Sequence, residues 1–277
     1  MTDENVLIVV PSRDDTVQQL RYAIDQGGLH LHYQPIVELR TRRTVGFEAL
    51  VRWEHPALGL LFARQFIGMA EDSGLIGGLD RWVVTEACRQ VGQWASDFPK
   101  REFLIRVNMS ATTLTSSGLI EDVAESLNSV TKGKWSSRVG PPRLGIEITE
   151  RADLGDLTSA AHVVLSLKSM GVEVGADNFG SGRLSMTTLS HLPLDFIKVS
   201  ASFVRNAAND FYDRAIVQSC IRMAAGLDIG VIANGLEDVP AVDELLTLGC
   251  LIGQGHVFEY PMEAIAVNHY LSGETSS

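Results

Sequence analysis

The stretch RLGIEITERADLGDLTSAAHVVLSLKSMGVEVGAD, from Arg143 to Asp177, contains two short apolar runs on either side of a helical pattern. The runs Arg143–Thr149 and Val172–Asp177 have the length and apolar content of buried strands, and Ser159–Met170 between them repeats apolar residues at helical spacing. Two strands joined by a helix of this length normally lie parallel in one sheet. The stretch therefore predicts a strand–helix–strand unit and an α/β fold.

The same alternation continues in both directions along the chain. Six further strands are predicted at Leu29–Gln34, Thr44–Arg52, Phe103–Met109, Phe196–Val199, Gly230–Ala233 and Leu251–Gln254. Further helices are predicted at Val17–Ile24, Leu79–Ala95, Leu119–Val130, Tyr212–Leu227 and Val239–Leu248, the last with Asp238 as its cap. Eight strands with interleaved helices favour a closed (β/α)8 barrel. A doubly wound open sheet is the alternative, because periodicity does not reveal closure.

Composition limits the classes of partner and the compartment. The 277 residues suit one barrel domain, which we expect at residues 15–272, after an extension at 1–14 and before a flexible tail at 273–277. A net charge of −11 disfavours polymeric nucleic acid and anionic membrane as partners. The apolar run Val6–Val10 is too short for a signal sequence or a membrane span. Three widely spaced cysteines in apolar segments predict reduced core thiols and a cytoplasmic location.

Polar residues recur where the predicted strands end. They are Gln34, Glu48, Arg52, Asn108, Glu147, Glu150, Asp177, Lys198, Asn234, Glu237 and Gln254. Buried carboxylates are costly unless they are paired or bound to metal, and the carboxyl ends of barrel strands form the usual active-site face. Oxygen ligands suit Mg²⁺, Mn²⁺ or Ca²⁺. From the residues alone, a divalent-metal site and a buried hydrogen-bond network remain alternatives.

Seven ordered segments carry a family resemblance. They are Tyr33–Ile36, Glu48–Trp53, Val107–Ser110, Glu147–Glu150, Asp177–Gly182, Lys198–Ser200 and Gln254–Gly255. In this order they resemble the successive motifs of EAL-domain cyclic di-GMP phosphodiesterases, over about residues 16–265. The resemblance implies a TIM-like barrel whose first strand is antiparallel, and two Mg²⁺ or Mn²⁺ ions that activate water to open cyclic di-GMP to linear pGpG.

The resemblance also implies roles for individual residues. The first metal site would be formed by Glu48, Asn108, Glu147 and Asp177. Contacts to cyclic di-GMP would come from Gln34, Glu48, Leu50, Arg52, Asp177 and Gln254, with the Arg52 guanidinium suited to a phosphate. Lys198 would lie near the attacking water, and Glu237 would support the site. Glu150 and Ser181 would anchor the loop after the fifth predicted strand. The family also suggests a homodimer, formed near the fifth and sixth strands.

Three acids of the family pattern are replaced by neutral residues. The pattern Asp-Asp-Phe-Gly reads Asn178 at its second acid, Lys-Ile-Asp ends at Ser200, and Ala-Glu-Gly-Val-Glu has Asn234 at its first acid. Two-metal hydrolysis clamps both the attacking and the leaving oxygen, so the loss of these acids weakens the second metal site. We therefore expect one cation site, for Mg²⁺ or Mn²⁺, which Ca²⁺ would occupy without supporting hydrolysis.

Three functions are consistent with this pattern. The leading hypothesis is a degenerate EAL domain that binds cyclic di-GMP as a receptor in bacterial signalling, with little or no hydrolysis. The second is a slow phosphodiesterase that uses the retained metal site and Lys198. The third is a protein-interaction module that no longer binds nucleotide and acts through a regulatory protein partner.

Overall fold

A computed structural model of the chain describes residues 12–131, 142–149, 154–181 and 186–274. The predicted loop anchor Glu150 lies outside these ranges, as do most of the predicted extension 1–14 and the last three residues of the predicted tail. Among the described residues, no helix is both long and apolar enough to cross a membrane. The three cysteines are reduced and buried, as predicted.

Strands and helices alternate along the chain. The strands are β1 Leu29–Glu38, β2 Thr44–His55, β3 Gly59–Phe62, β4 Leu104–Met109, β5 Arg143–Ile148, β6 Glu173–Phe179, β7 Phe196–Val199, β8 Gly230–Asn234 and β9 Ile252–Gln254. The longer helices are α1 Arg13–Gln26, α2 Ala63–Asp72, α3 Ile76–Asp97, α5 Leu119–Thr131, α6 Leu157–Ser169, α9 Phe211–Gly226, α10 Val239–Leu248 and α11 Ala264–Glu274. Short helices are α4 Ala111–Leu114, α7 Met186–His191 and α8 Ala201–Val204.

The eight predicted strands and the predicted helices coincide with elements of this set, with ends shifted by a few residues. Strand β3 and five helices, α2, α4, α7, α8 and α11, were not predicted. The Asp238 cap is confirmed, since its carboxylate accepts a hydrogen bond from the Ala241 amide at 2.9 Å.

Strand pairing closes a barrel. The order is β1-β9-β8-β7-β6-β5-β4-β2, and β1 pairs with β2 to complete the ring. Strand β1 is antiparallel to both neighbours, whereas the pairs from β2 through β4 to β9 are parallel. Strand β3 pairs with β2 and extends it as a hairpin. The closed barrel and the antiparallel first strand are confirmed, and the open-sheet alternative is wrong.

A buried cation and an aromatic ring pack inside the barrel near the amino ends of its parallel strands. The Arg106 guanidinium lies 3.7 Å from the centre of the Phe196 ring and pairs with Glu173 at 2.8 Å. Two glycines make room for them: a Cβ at Gly145 would lie 2.9 Å from Arg106 Cγ, and a Cβ at Gly175 would lie 2.4 Å from the Phe196 ring. These glycines are therefore required by packing.

We expect Gly175→Ala to lower the free energy of unfolding by about 1–3 kcal/mol, because the added methyl group overlaps the Phe196 ring. Urea denaturation checks this value. Gly226→Ala is the matched control, since nothing lies within 4 Å of its added methyl group, and it should leave stability unchanged or slightly higher. Equal stability of the two variants would contradict this account of the barrel interior.

Candidate functional site

Register brings the predicted polar residues together at one end of the barrel. Gln34 lies opposite Glu48, and Asn108 lies opposite Glu147 in the β4–β5 pair. Because parallel strands end at the same rim, side chains that are far apart in sequence converge there.

Lys198 is at the centre of this cluster. Its Nζ donates to Glu48 Oε2 at 2.5 Å and to Glu147 Oε2 at 2.8 Å. All three side chains are almost fully buried, with Lys198 1% and Glu147 0% exposed. A buried ion triad of this kind is stable only while both signs of charge are present.

Three amide side chains complete the network around Glu48. Asn108 Nδ2 donates to Glu48 Oε1 at 2.6 Å, and Gln254 Nε2 donates to Glu48 Oε2 at 2.8 Å. Gln254 Nε2 also contacts Gln34 Oε1 at 3.0 Å, and Gln34 Nε2 donates to the Glu259 carbonyl. Both carboxylate oxygens of Glu48 are therefore satisfied, and predicted residues from strands β1, β2, β4, β5, β7 and β9 form one hydrogen-bonded unit.

The two carboxylates differ electrostatically. Burial disfavours the charged form of Glu48, but Lys198 and the amide donors outweigh it and hold its pKa below the usual value. Burial raises the pKa of Glu147 to about 7 against the opposing effect of Lys198, and the nearby negative charges of Glu48 and Asp177 add to the rise. A cation near Glu147 would favour its ionised form.

The donor set fits a hard divalent cation. Glu147 Oε1 is buried and accepts no hydrogen bond from the described residues, so one carboxylate oxygen remains available as a ligand. Asp177 is buried on neighbouring strand β6. In the described part of the chain, no three His, Cys, Asp or Glu side chains already stand in metal-holding geometry, and the Lys198 ammonium lies between Glu48 and Glu147 instead. A bound cation would share these carboxylates with Lys198.

Two of the three neutral replacements, Asn178 and Ser200, have hydrogen-bond partners. Asn178 has a left-handed backbone with φ 52°, and its Nδ2 donates to Asp177 Oδ2 at 2.8 Å. Ser200 caps α8 and accepts a hydrogen bond from the Ser202 amide. Asn234 is half-buried at the end of β8, opposite Gln254.

Two predicted residues lie apart from the Lys198 cluster. Glu237 is half-exposed and pairs with Arg205 at 3.0 Å, so in this structure it is engaged at the surface. The Ser181 hydroxyl donates to the Asn178 carbonyl at 2.9 Å. The predicted link from Ser181 to Glu150 falls on a residue outside the described ranges.

A cavity of about 430 Å³ opens beside the cluster. Predicted site residues on its wall are Leu50, Asn108, Asp177, Asn178 and Ser181. Sequence reasoning missed the residues that helices α2 and α3 contribute to it: Ala63, Arg64, Ile67, Glu71, Ile76, Leu79, Asp80 and Val83. The apolar spacing of α2 was the available signal, since Phe66 and Ala70 are buried four residues apart.

Arg52 is the predicted phosphate contact on the β2–β3 hairpin. It is 5% exposed, and its Nη1 donates to the Val51 carbonyl at 3.0 Å. Its buried Nε donates to no described acceptor, and it makes no ion pair within the described ranges. A guanidinium that forms no ion pair with a described carboxylate is suited to an anionic ligand.

Comparison with known proteins gives consistent results. The protein-family model of the EAL domain matches residues 17–261 of this chain. MucR of Pseudomonas aeruginosa, a bifunctional diguanylate cyclase and cyclic di-GMP phosphodiesterase, is 34% identical over 248 residues, covering 90% of this chain and 35% of MucR. An uncharacterized protein of Mycobacterium tuberculosis is 37% identical over 260 residues, covering 94% of this chain and 41% of that protein. The chain thus spans about two fifths or less of the length of these relatives.

Solved structures agree in fold. The phosphodiesterase domain of MucR, in complex with cyclic di-GMP, superposes with a TM-score of 0.81 at 33% identity, covering 91% of this chain and 99% of that one. The EAL domain of DcpA from Mycobacterium smegmatis gives a TM-score of 0.72 at 27% identity, covering 90% of this chain and 97% of that one. With the barrel topology and the family match over residues 17–261, these findings show that the chain belongs to the EAL domain family.

Proposed function

We propose that this chain is a cyclic di-GMP receptor whose phosphodiesterase activity is absent or strongly impaired. The observation that carries the proposal is an asymmetry in the site. Glu48, Glu147 and Lys198 form an intact buried cluster, whereas Asn178 and Ser200 are neutral and engaged in local hydrogen bonds.

The binding half of the site supports recognition of a cyclic dinucleotide. EAL phosphodiesterases are metal-dependent. A Mg²⁺ or Mn²⁺ ion would be held by Glu48, Asn108, Glu147 and Asp177, where it would offset the negative charge of a ligand phosphate. Ca²⁺ would serve for binding alone. Gln34, Leu50, Arg52 and Gln254 would contact the ligand itself, and the MucR domain, which shares this fold, was solved with cyclic di-GMP bound.

The part of the site that contains Asn178, Ser200 and Asn234 supports impaired hydrolysis of cyclic di-GMP. An amide cannot act as a general base near neutral pH, and base catalysis typically contributes about 10²- to 10⁴-fold in rate. Asn178 and Asn234 therefore remove negative charge where a second metal ion and an activated water would need it. Glu237, the remaining acid of that segment, is paired with Arg205.

Slow hydrolysis is the second candidate, because Lys198 and the carboxylates of the first metal site are all retained. Formation of linear pGpG in Mg²⁺ or Mn²⁺ should be compared with Glu48→Gln prepared in the same way. Equal traces in both proteins would exclude hydrolysis by this site.

Binding of cyclic di-GMP is the direct test of the receptor. We expect saturable calorimetric binding in Ca²⁺, and we expect Arg52→Ala to weaken it by about 10- to 100-fold, the usual value of charge-assisted hydrogen bonds. Arg222→Ala, which removes an exposed arginine on α9, is the matched control and should bind like the parent. Failure of the parent to bind at high micromolar ligand would contradict the proposal.

We infer a cytoplasmic homodimer that transmits ligand occupancy to a regulatory protein partner. Light scattering of the purified chain with and without cyclic di-GMP measures the oligomeric state, and a monomer at all concentrations would contradict the dimer.

A further inference from the structure

The β2–β3 hairpin places an aromatic ring on the same face as the predicted ligand contacts. Side chains two residues apart on a strand share a face, so Glu48, Leu50 and Arg52 point to the same side of β2. Register pairs Arg52 with Phe62 on β3, which puts the Phe62 side chain on that side as well. Phe62 therefore belongs to the ligand-facing surface of the hairpin by position.

Phe62 holds the Arg52 side chain. The Arg52 guanidinium lies 4.7 Å from the centre of the Phe62 ring, within the range of a cation–π contact. Together with the bonds from Nη1 to backbone carbonyls, the ring fixes the guanidinium without neutralising it. An arginine fixed in this way loses little conformational entropy when it binds an anion.

The N-cap position of α2 carries this ring in place of a capping side chain. Phe62 occupies the N-cap position of α2, where Ser, Thr, Asp or Asn is preferred because its side chain accepts a backbone hydrogen bond. Phe62 provides no such bond, and the residue is 45% exposed, so it contributes little to the core. A residue that breaks a local rule without a packing gain points to a functional position.

Arg64 adds a second cation at the same place. It lies 5.9 Å from the centre of the Phe62 ring, in the first turn of α2, where the helix dipole disfavours positive charge. It makes no ion pair with a described residue, and it lines the 430 Å³ cavity whose wall also contains Asn108 and Asp177. The cost of a cation at this end of the helix dipole would be offset by an anionic ligand in the cavity.

We propose that Phe62 is a positioning residue for Arg52 and that Arg64 is a second cation for the same ligand, so that Arg52, Phe62 and Arg64 form one subsite for the phosphates of cyclic di-GMP. The inference rests on the proposed receptor function. It extends the ligand site to two residues that lie outside the motifs of the family resemblance.

Phe62→Ser separates positioning from folding, because serine restores a capping side chain while it removes the ring. Calorimetric binding of cyclic di-GMP in Ca²⁺ should weaken by about 5- to 20-fold, while the melting temperature stays equal or rises. Phe62→Tyr keeps the ring and should bind within about twofold of the parent. Phe211→Ser, at another exposed phenylalanine, is the matched control and should bind like the parent.

Arg64→Gln tests the second cation. Binding at low salt should weaken by about 3- to 10-fold and depend less on NaCl concentration than in the parent, because one charge contact is lost. Arg21→Gln, at an exposed arginine of α1, controls for net charge.

Three results would overturn this subsite. They are unchanged affinity of Phe62→Ser, equal loss in Phe62→Ser and Phe62→Tyr, and an effect of Arg64→Gln no larger than that of Arg21→Gln. Binding by the parent is measured first: its absence overturns the receptor function and the subsite together, whereas normal parental binding with insensitive variants overturns the subsite alone.

Discussion

Lys198→Met should lower the free energy of unfolding by about 3–5 kcal/mol in metal-free buffer, the largest loss we expect from a single side chain of the site. The variant leaves Glu48 and Glu147 buried without the ammonium that bonds to both. Methionine fills a similar volume, so the loss reports charge and not a cavity. Urea denaturation in EDTA measures it.

Divalent cations should restore part of this stability. With the ammonium removed, the same two carboxylates are left to a cation alone, so Ca²⁺, Mg²⁺ or Mn²⁺ should stabilise Lys198→Met more than the parent. Lys168→Met is the matched control: Lys168 pairs with Asp195 at 2.7 Å but is about a third exposed, and its loss should cost about 0–1 kcal/mol with no metal dependence. A metal-insensitive Lys198→Met protein would contradict the cation site.

Eight of the nine described strands were predictable because each is a short apolar run bounded by turn residues. Periodicity alone did not reveal closure of the barrel, because closure depends on the pairing of β1 with β2 and β9, which no local pattern contains. The strand count favoured the closed barrel, and the family resemblance implied it. The antiparallel direction of β1 came from the family resemblance. Strand β3 was missed because four residues, three of them exposed, carry too little periodicity.

The site residues were predictable as a set but their contacts were not. The triad of Lys198, Glu48 and Glu147 joins residues 150 and 51 positions apart, and its geometry follows from barrel closure. The pairing of Glu237 with Arg205 depends on how α8 lies beside β8, which sequence spacing does not give. The role of Phe62 depends on its register with Arg52.

A triple variant with Asn178→Asp, Ser200→Asp and Asn234→Glu should hydrolyse cyclic di-GMP at least about 10²-fold faster than the parent in Mn²⁺ or Mg²⁺. The reason is that these substitutions return three acids to the second metal site. Formation of linear pGpG measures the gain. Each single variant should gain little activity. The gain of the triple variant should exceed the product of the three single gains, since groups that act as one unit are non-additive.

The backbone should tolerate the three acids. Aspartate adopts the left-handed conformation of Asn178, and it caps a helix as well as Ser200 does. Asn234 is half-buried, so its side chain is partly open to solvent. The triple variant with Glu48→Gln added is the matched control, because it keeps the new acids and removes a carboxylate of the first metal site. Activity in that control would show that the product arises elsewhere.

A triple variant that folds, binds cyclic di-GMP and still fails to hydrolyse it would contradict the link between the three neutral residues and the lost activity. The defect would then belong to the loop that Glu150 and Ser181 are expected to anchor, or to the engagement of Glu237 by Arg205. Adding Arg205→Ala to the triple variant separates these two, since it frees the Glu237 carboxylate and leaves the loop unchanged. If adding Arg205→Ala raises the rate of hydrolysis, the Arg205–Glu237 ion pair is what limits activity in the triple variant, because the two proteins differ only in the partner of Glu237.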